Sequence, residues 1–288
     1  MKFLNLAGAA FAILVGFNVS AQDAKPADTK KRTVALISAV GDQFTYLRQK
    51  ESVGSNMEPY SRRIVKVPNG GLDNIVLRGL DKAYSAQDPD ANKIFMRLAA
   101  PEMEGVLPQH REKVAIDKVM EQLAKVDRSS WDLIVAVTPA WQFSATGGMG
   151  SKLQGIGLYV QPLENTVGDF DSELGGQDEF TTSDPNDRAK KKKSNIYVAP
   201  YSYTQLWVID PKTLSVISKE THKQHTKLFD PNSASLDVQK QMTVDMLATQ
   251  IEGFVERAST KALKDAIGTV TVEEKLPPGA KKDEPAKK

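Results

Sequence analysis

One run of the chain, Asp132 to Phe143, constrains the fold more than any other. In its first half both alternating sets of side chains are apolar, Leu133, Val135 and Val137 on one and Ile134 and Ala136 on the other. A strand presents two faces with period two, so such a run needs cover on both and belongs in the middle of a sheet. A glycine-rich reversal from Ser144 to Lys152 leads to an expected partner strand, Leu153 to Leu163. The partner carries Ile156, Leu158 and Val160 on one face. Gly155, Gly157 and Tyr159 are on the other, where missing side chains leave room for another group to approach closely.

The rest of the pattern can be read around that strand. Val34 to Val40 is apolar, Gly41-Asp42 is a turn dipeptide, and Gln43 to Lys50 alternates, which together predict a type II′ hairpin. Tyr60 to Val67 reads as a third strand. After the break Pro68-Asn69-Gly70-Gly71, the spacing of Leu72, Ile75, Val76, Leu80, Ala83 and Tyr84 predicts a helix with one apolar stripe. Lys93 to Ala99 is a strand, and a second helix from His110 to Val126 carries Ile116, Val119, Met120 and Leu123. Two strands, Ile196 to Asp210 and Leu214 to His225, meet at the turn Asp210-Pro211-Lys212-Thr213. A final helix of roughly 30 residues has Leu247, Ile251, Phe254, Val255, Ala258 and Ala262 on its apolar face. The expected fold class is therefore α/β. Its mixed sheet has βαβαβ crossovers in the first half, antiparallel hairpins in the second, and a long C-terminal helix.

The N-terminus sets the expected compartment. Lys2 precedes an apolar run, Leu6 to Phe17, that ends at Val19-Ser20-Ala21, the pattern of a secretory signal cleaved after Ala21. Residues 22–32 are polar and form a flexible leader, 33–268 a single domain, and 269–288 a lysine-rich, flexible tail. The expected location is periplasmic or secreted, with no transmembrane segment once the signal is removed. The chain has no cysteine, which excludes both a lipoprotein anchor and disulfides. Basic and acidic residues number 38 and 36, a balance that gives no footing for a nucleic-acid partner. Asn165 to Ser194 holds seven acidic residues and then Lys190 to Lys193 without a structural period, and is expected to be a mobile, lid-like loop.

The motifs point away from familiar chemistries. Thr146-Gly147-Gly148-Met149-Gly150-Ser151-Lys152 places serine before lysine and a strand after, the reverse of a phosphate-binding loop. His222 and His225 stand three apart on a strand and so face opposite ways, which does not build a zinc site. Asp169, Asp171 and Glu173 resemble the start of a calcium loop but lack its glycine and closing glutamate. No metal or cofactor is expected. Gly41-Asp42-Gln43-Phe44 has glutamine where the similar block of secreted esterases has its nucleophile, and no Gly-x-Ser-x-Gly occurs. Tyr197, Tyr201, Tyr203 and Trp207 share one face by alternation, and Trp141 and Phe143 could extend them. Such a row is either a half-buried core edge or a platform for a ring, sugar or peptide ligand.

The run Lys152-Leu153-Gln154-Gly155-Ile156-Gly157-Leu158-Tyr159-Val160, the polar insertion, and Ala199-Pro200-Tyr201-Ser202-Tyr203, taken with the Val34 to Asp42 strand, resemble an uncharacterised family of exported proteins from Gram-negative bacteria. The architecture is similar to periplasmic α/β accessory domains such as the curli-secretion and penicillin-binding-protein activator lipoproteins, but the lipid-bearing cysteine is missing. The resemblance implies no activity. The expected function is a non-catalytic envelope binding or accessory module whose partner is an envelope protein or a small-molecule or glycan ligand. The alternatives are a hydrolase assembled from distant residues, with Asp42 or His110 as base, and a structural assembly subunit.

Overall fold

In the computed structural model the described residues are 31–50, 60–141, 153–162, 181–183, 191–193, 196–228 and 242–268. All but Lys31 fall in one compact unit that starts at Arg32. The elements in chain order are β1 (Thr33–Ser38), β2 (Gln43–Gln49), β3 (Tyr60–Lys66), a 3-10 turn (Pro68–Gly70), α1 (Gly71–Gln87), β4 (Asn92–Arg97), α2 (Pro108–Leu123) and β5 (Leu133–Pro139). They continue with β6 (Gly155–Pro162), β7 (Thr181–Ser183), β8 (Lys191–Lys193), β9 (Ile196–Ile209), β10 (Val216–His225) and α3 (Val244–Gly268).

β5 lies inside the sheet, as its two-sided apolar run predicts. It pairs parallel with β1 and antiparallel with β9. β1 also pairs parallel with β4, so β1, β4 and β5 form a parallel set with α1 and α2 in the crossovers. The first crossover moves one way along the sheet and the second moves back across β1. With a common right-handed sense, the two helices then fall on opposite faces. The core follows that division. Leu36, Val135 and Leu206 pack under Val76 and Leu80 of α1 and Val255 and Leu263 of α3. Ile37, Ile134 and Trp207 pack under Val119 and Leu123 of α2. Full burial of each large aliphatic side chain stabilises by about 1.5–3 kcal/mol. Gly79 lets α1 and α3 approach, because a Cβ there would stand 2.5 Å from the Glu256 carbonyl oxygen.

Two expected hairpins are absent. β1 and β2 do not pair with each other: β2 pairs with β3 and, in parallel, with β6. β5 and β6 do not pair as strands either. β9 runs antiparallel to both, binding β6 through residues 196–203 and β5 through 204–209, with β10 opposite residues 201–209. β5 and β6 therefore lie end to end along one edge of β9 and run in the same sense. β2 likewise continues the sense of β1. The sheet consists of long columns, two of which break at the same level, and β3 and β4 occupy successive stretches of the edge beyond.

The expected signal segment, nearly all of the leader, the glycine-rich reversal and the tail lie outside the described residues. Within the expected lid at 165–194, residues 181–183 pair antiparallel with 191–193. Among the described residues no helix is long and apolar enough to cross a membrane.

Candidate functional site

Both column breaks open onto one cavity. At the first, Gly41 takes φ +80°, and a Cβ there would stand 2.5 Å from the Ala100 Cβ, so the position requires glycine. The freed backbone groups of the break are captured by a side chain 32–35 residues ahead. The Asp73 Oδ1 accepts from Ser38 Oγ at 2.6 Å, from Val40 N–H at 3.1 Å and from Gly41 N–H at 3.3 Å. Asp73 sits in the first turn of α1, where the helix dipole favours a carboxylate. Burial nevertheless pushes its pKa up, against the opposing pull of Ser38, the two N–H groups and the Arg97 charge. The carbonyl of Asp42 accepts from Val67 N–H at 2.7 Å. These bonds account for the missing hairpin: Gly41-Asp42 permits a tight turn, but Asp73 and β3 hold the backbone as a kink.

At the second break the chain leaves β5 after Pro139 and rejoins at Gly155, which takes φ +62°. Ala140 N–H donates to the Tyr203 carbonyl at 2.9 Å, Gly155 N–H donates to the Ala140 carbonyl at 3.2 Å, and Trp141 forms an isolated antiparallel bridge with Gln154. The excursion between them starts and ends on adjacent residues of the sheet.

The cavity between the breaks has a volume of about 750 Å³, within the usual range for small-ligand sites. Ile64, Leu98, Pro101, Met103, Trp141 and Ile156 give it apolar wall. Thr45 and Gln154 add polar groups, and Asp42, Asp73, Glu102 and Glu104 add carboxyls. Two guanidinium groups reach it, Arg62 from β3 and Arg111 from the first turn of α2. Arg111 is held in place: its Nε donates to the Val106 carbonyl at 3.0 Å and its Nη1 to Gln154 Oε1 at 3.1 Å. Burial and then the Arg62 charge lower its pKa.

Of the sequence-predicted ligand residues, Trp141 lines this cavity, half-buried, and Phe143 lies outside the described residues. Tyr197, Tyr201 and Tyr203 are buried together with Tyr159 and Leu47. Trp207 is buried beneath α2 and donates through Nε1 to Thr138 Oγ1 at 3.0 Å. The rings stack tilted or edge-on, with Tyr201 and Tyr203 centroids 5.6 Å apart at 73°. The row therefore forms core, and the group that approaches Gly157 is Tyr201 itself: a Cβ at Gly157 would stand 2.4 Å from its hydroxyl. Burial raises the pKa of that hydroxyl, against the opposing pull of Thr45. Asp42 is exposed at the cavity, whereas His110 is exposed on α2 and does not line it. His222 lies on β10 with Nε2 3.5 Å from a Glu220 carboxylate oxygen, and its pKa is lowered by burial. No local sequence pattern marks Arg62 or Arg111 as site residues. Only Asp73 had a signal there, an acid just inside a helix that opens after Asn-Gly-Gly.

No family model and no curated protein matches the chain. Among solved structures it is similar to a Helicobacter pylori protein named as a homolog of a neuraminyllactose-binding hemagglutinin, at 8% identity and a TM-score of 0.33, covering 84% of each chain. It is also similar to a Xanthomonas campestris protein of the DUF330 family, at 6% identity and a TM-score of 0.31, covering 83% of this chain and 82% of that one. Likenesses of this depth, both to bacterial proteins, identify neither a family nor a ligand.

Proposed function

We propose that the protein is a non-catalytic binding module of the cell envelope that takes a small amphipathic ligand into the cavity at the two column breaks. The observation that carries this reading is the cavity itself, about 750 Å³ with Trp141 and other apolar side chains on the same wall as oriented polar groups. The Asp73 carboxyl is committed through its Oδ1 to holding the first break at Ser38, Val40 and Gly41. Export rests on the signal-like run from Leu6 to Phe17.

A thermal-shift screen of the full chain and of Trp141→Ala against amphiphiles, glycan fragments and short peptides tests the reading. A ligand that binds only the folded state raises the midpoint by mass action. Ligands should shift the parent and lose most of that shift in the variant. An equal shift in both proteins, or none with any ligand class, would overturn it. A protein partner is the second reading, favoured by the exposed Ile64, Val65 and Phe95 on edge strands β3 and β4, and crosslinking in the envelope would reveal it.

A further inference from the structure

One oxygen of the cavity wall is left over. Asp73 is only 5% exposed and lines the cavity. Its hydrogen bonds, from Ser38 Oγ, Val40 N–H and Gly41 N–H, all end on Oδ1. Among the described residues Oδ2 accepts from no donor. A buried carboxylate oxygen without a partner carries a desolvation cost that a donor would offset. Resting on the binding reading above, we propose that Asp73 Oδ2 receives the primary ammonium group of an amphipathic amine whose apolar body extends toward Trp141.

The surroundings of Asp73 suit a cation. Asp42 directly follows Gly41, and Ala100, two residues before Glu102, packs against that glycine. Asp42 and Glu102 therefore stand at the first break with Asp73. Among the described residues neither of them, nor Glu104, is in an ion pair. Asp73 pairs with none of Arg62, Arg97 and Arg111 either. Arg97 acts on it through space while its Nη1 donates to the Asn69 carbonyl at 2.9 Å, and Arg111 is turned to the Val106 carbonyl and Gln154 Oε1. No three acidic or imidazole groups among the described residues converge closely enough to hold a metal ion, so the cation that fits this wall is an organic one. A single open oxygen takes a point donor such as an ammonium more readily than a guanidinium fork, which needs two oxygens.

The test titrates the full chain by calorimetry at neutral pH with naphthylmethylamine and with naphthylmethanol, which has the same aromatic body without the charge. Both should bind one to one, the amine at least about tenfold more tightly, the scale of one hydrogen bond to a charged group. Asp73→Asn keeps an acceptor for the break and removes the charge, and should erase most of that advantage. Glu102→Gln should reduce it by no more than about twofold, because the Glu102 carboxyl is exposed. Octylamine and phenylalaninamide should each displace the naphthyl amine, the stronger telling a chain-like body from a peptide end, and displacement by neither would count against the subsite. If the alcohol binds but the amine gains nothing, or keeps its gain in Asp73→Asn, or if naphthylacetate binds most tightly of all, the ammonium subsite is wrong and the binding reading stands. If no probe binds, both fall. Should Asp73→Asn fail to fold, the parent decides the matter: the carboxyl-carbon NMR resonance of Asp73 should move with the amine and not with the alcohol, and an unmoved resonance overturns the proposal.

Discussion

The two halves of the sheet differ in how they are covered. β1, β4 and β5 are parallel, with helices over both faces, and Leu36, Ile37, Ile134 and Val135 are all buried. β2, β3 and β6 continue the same sheet, but α3 meets only one face, where Leu158 and Val160 pack near Leu247 and Ile251. On their other face lie the tyrosines, and β3 at the edge is exposed along almost its whole length. Where helices close both faces, aliphatic side chains suffice. Where, among the described residues, a helix meets one face only, the chain uses wide rings, glycines that admit them, and a break that leaves a cavity at the seam.

The contrast is testable by substitution. Leu36→Ala, in the closed half, should cost about 2–5 kcal/mol of unfolding free energy in a urea titration, because the helices around it cannot collapse into the space. A cost below 1 kcal/mol would mean that half is not close-packed. Gly157→Ala, in the open half, should cost about 1–3 kcal/mol, since its Cβ would stand 2.1 Å from the Thr45 carbonyl oxygen as well as against the Tyr201 ring. Backbone cannot yield as a side chain does, so Tyr201→Phe should not restore the loss.

A smaller effect, of about 1 kcal/mol or less, is expected at the seam, where Asp73→Asn keeps an acceptor for Ser38 and the two N–H groups and removes a buried charge. Its signature is in pH. Burial raises the folded-state pKa of Asp73 above the usual carboxylate range. The stabilisation from its protonated form is therefore complete below the unfolded pKa and is lost as pH rises through the folded one. Melting curves across that window should show the variant gaining on the parent as pH rises, and parallel curves would show that Asp73 is not desolvated. The smallest change belongs to the edge. Val65→Thr on β3 should stay within about 0.5 kcal/mol, because the side chain is 43% exposed.

Much of the closed half was legible in the sequence. The two-sided run at Leu133–Val137, the stripe of α1 and the α2 period each state what they must bury, and the structure buries them as stated. The open half was legible only in part. Gly157 announced a close approach but could not say that the visitor would be Tyr201 from β9. Alternation put Tyr197, Tyr201 and Tyr203 on one face, yet whether a face is wet depends on what covers it, which the strand's own residues do not encode. Gly41-Asp42 suits a turn or a kink equally, and the choice is made by Asp73 from α1. Arg62 and Arg111 reach one cavity only because β3 and α2 both flank the break, which no local pattern could show.

The most direct test of the cavity as a binding site uses the three tryptophans. Trp131 and Trp207 are buried and serve as internal controls, whereas Trp141 lines the cavity. Indole N–H resonances, assigned with Trp141→Phe, would be followed by NMR while N-phenyl-1-naphthylamine is titrated into the full chain. Binding in the cavity should give a saturable shift of the Trp141 indole with the other two nearly still. A Trp141 resonance that stays fixed while the probe binds, or moves no more than those of Trp131 and Trp207, would contradict it.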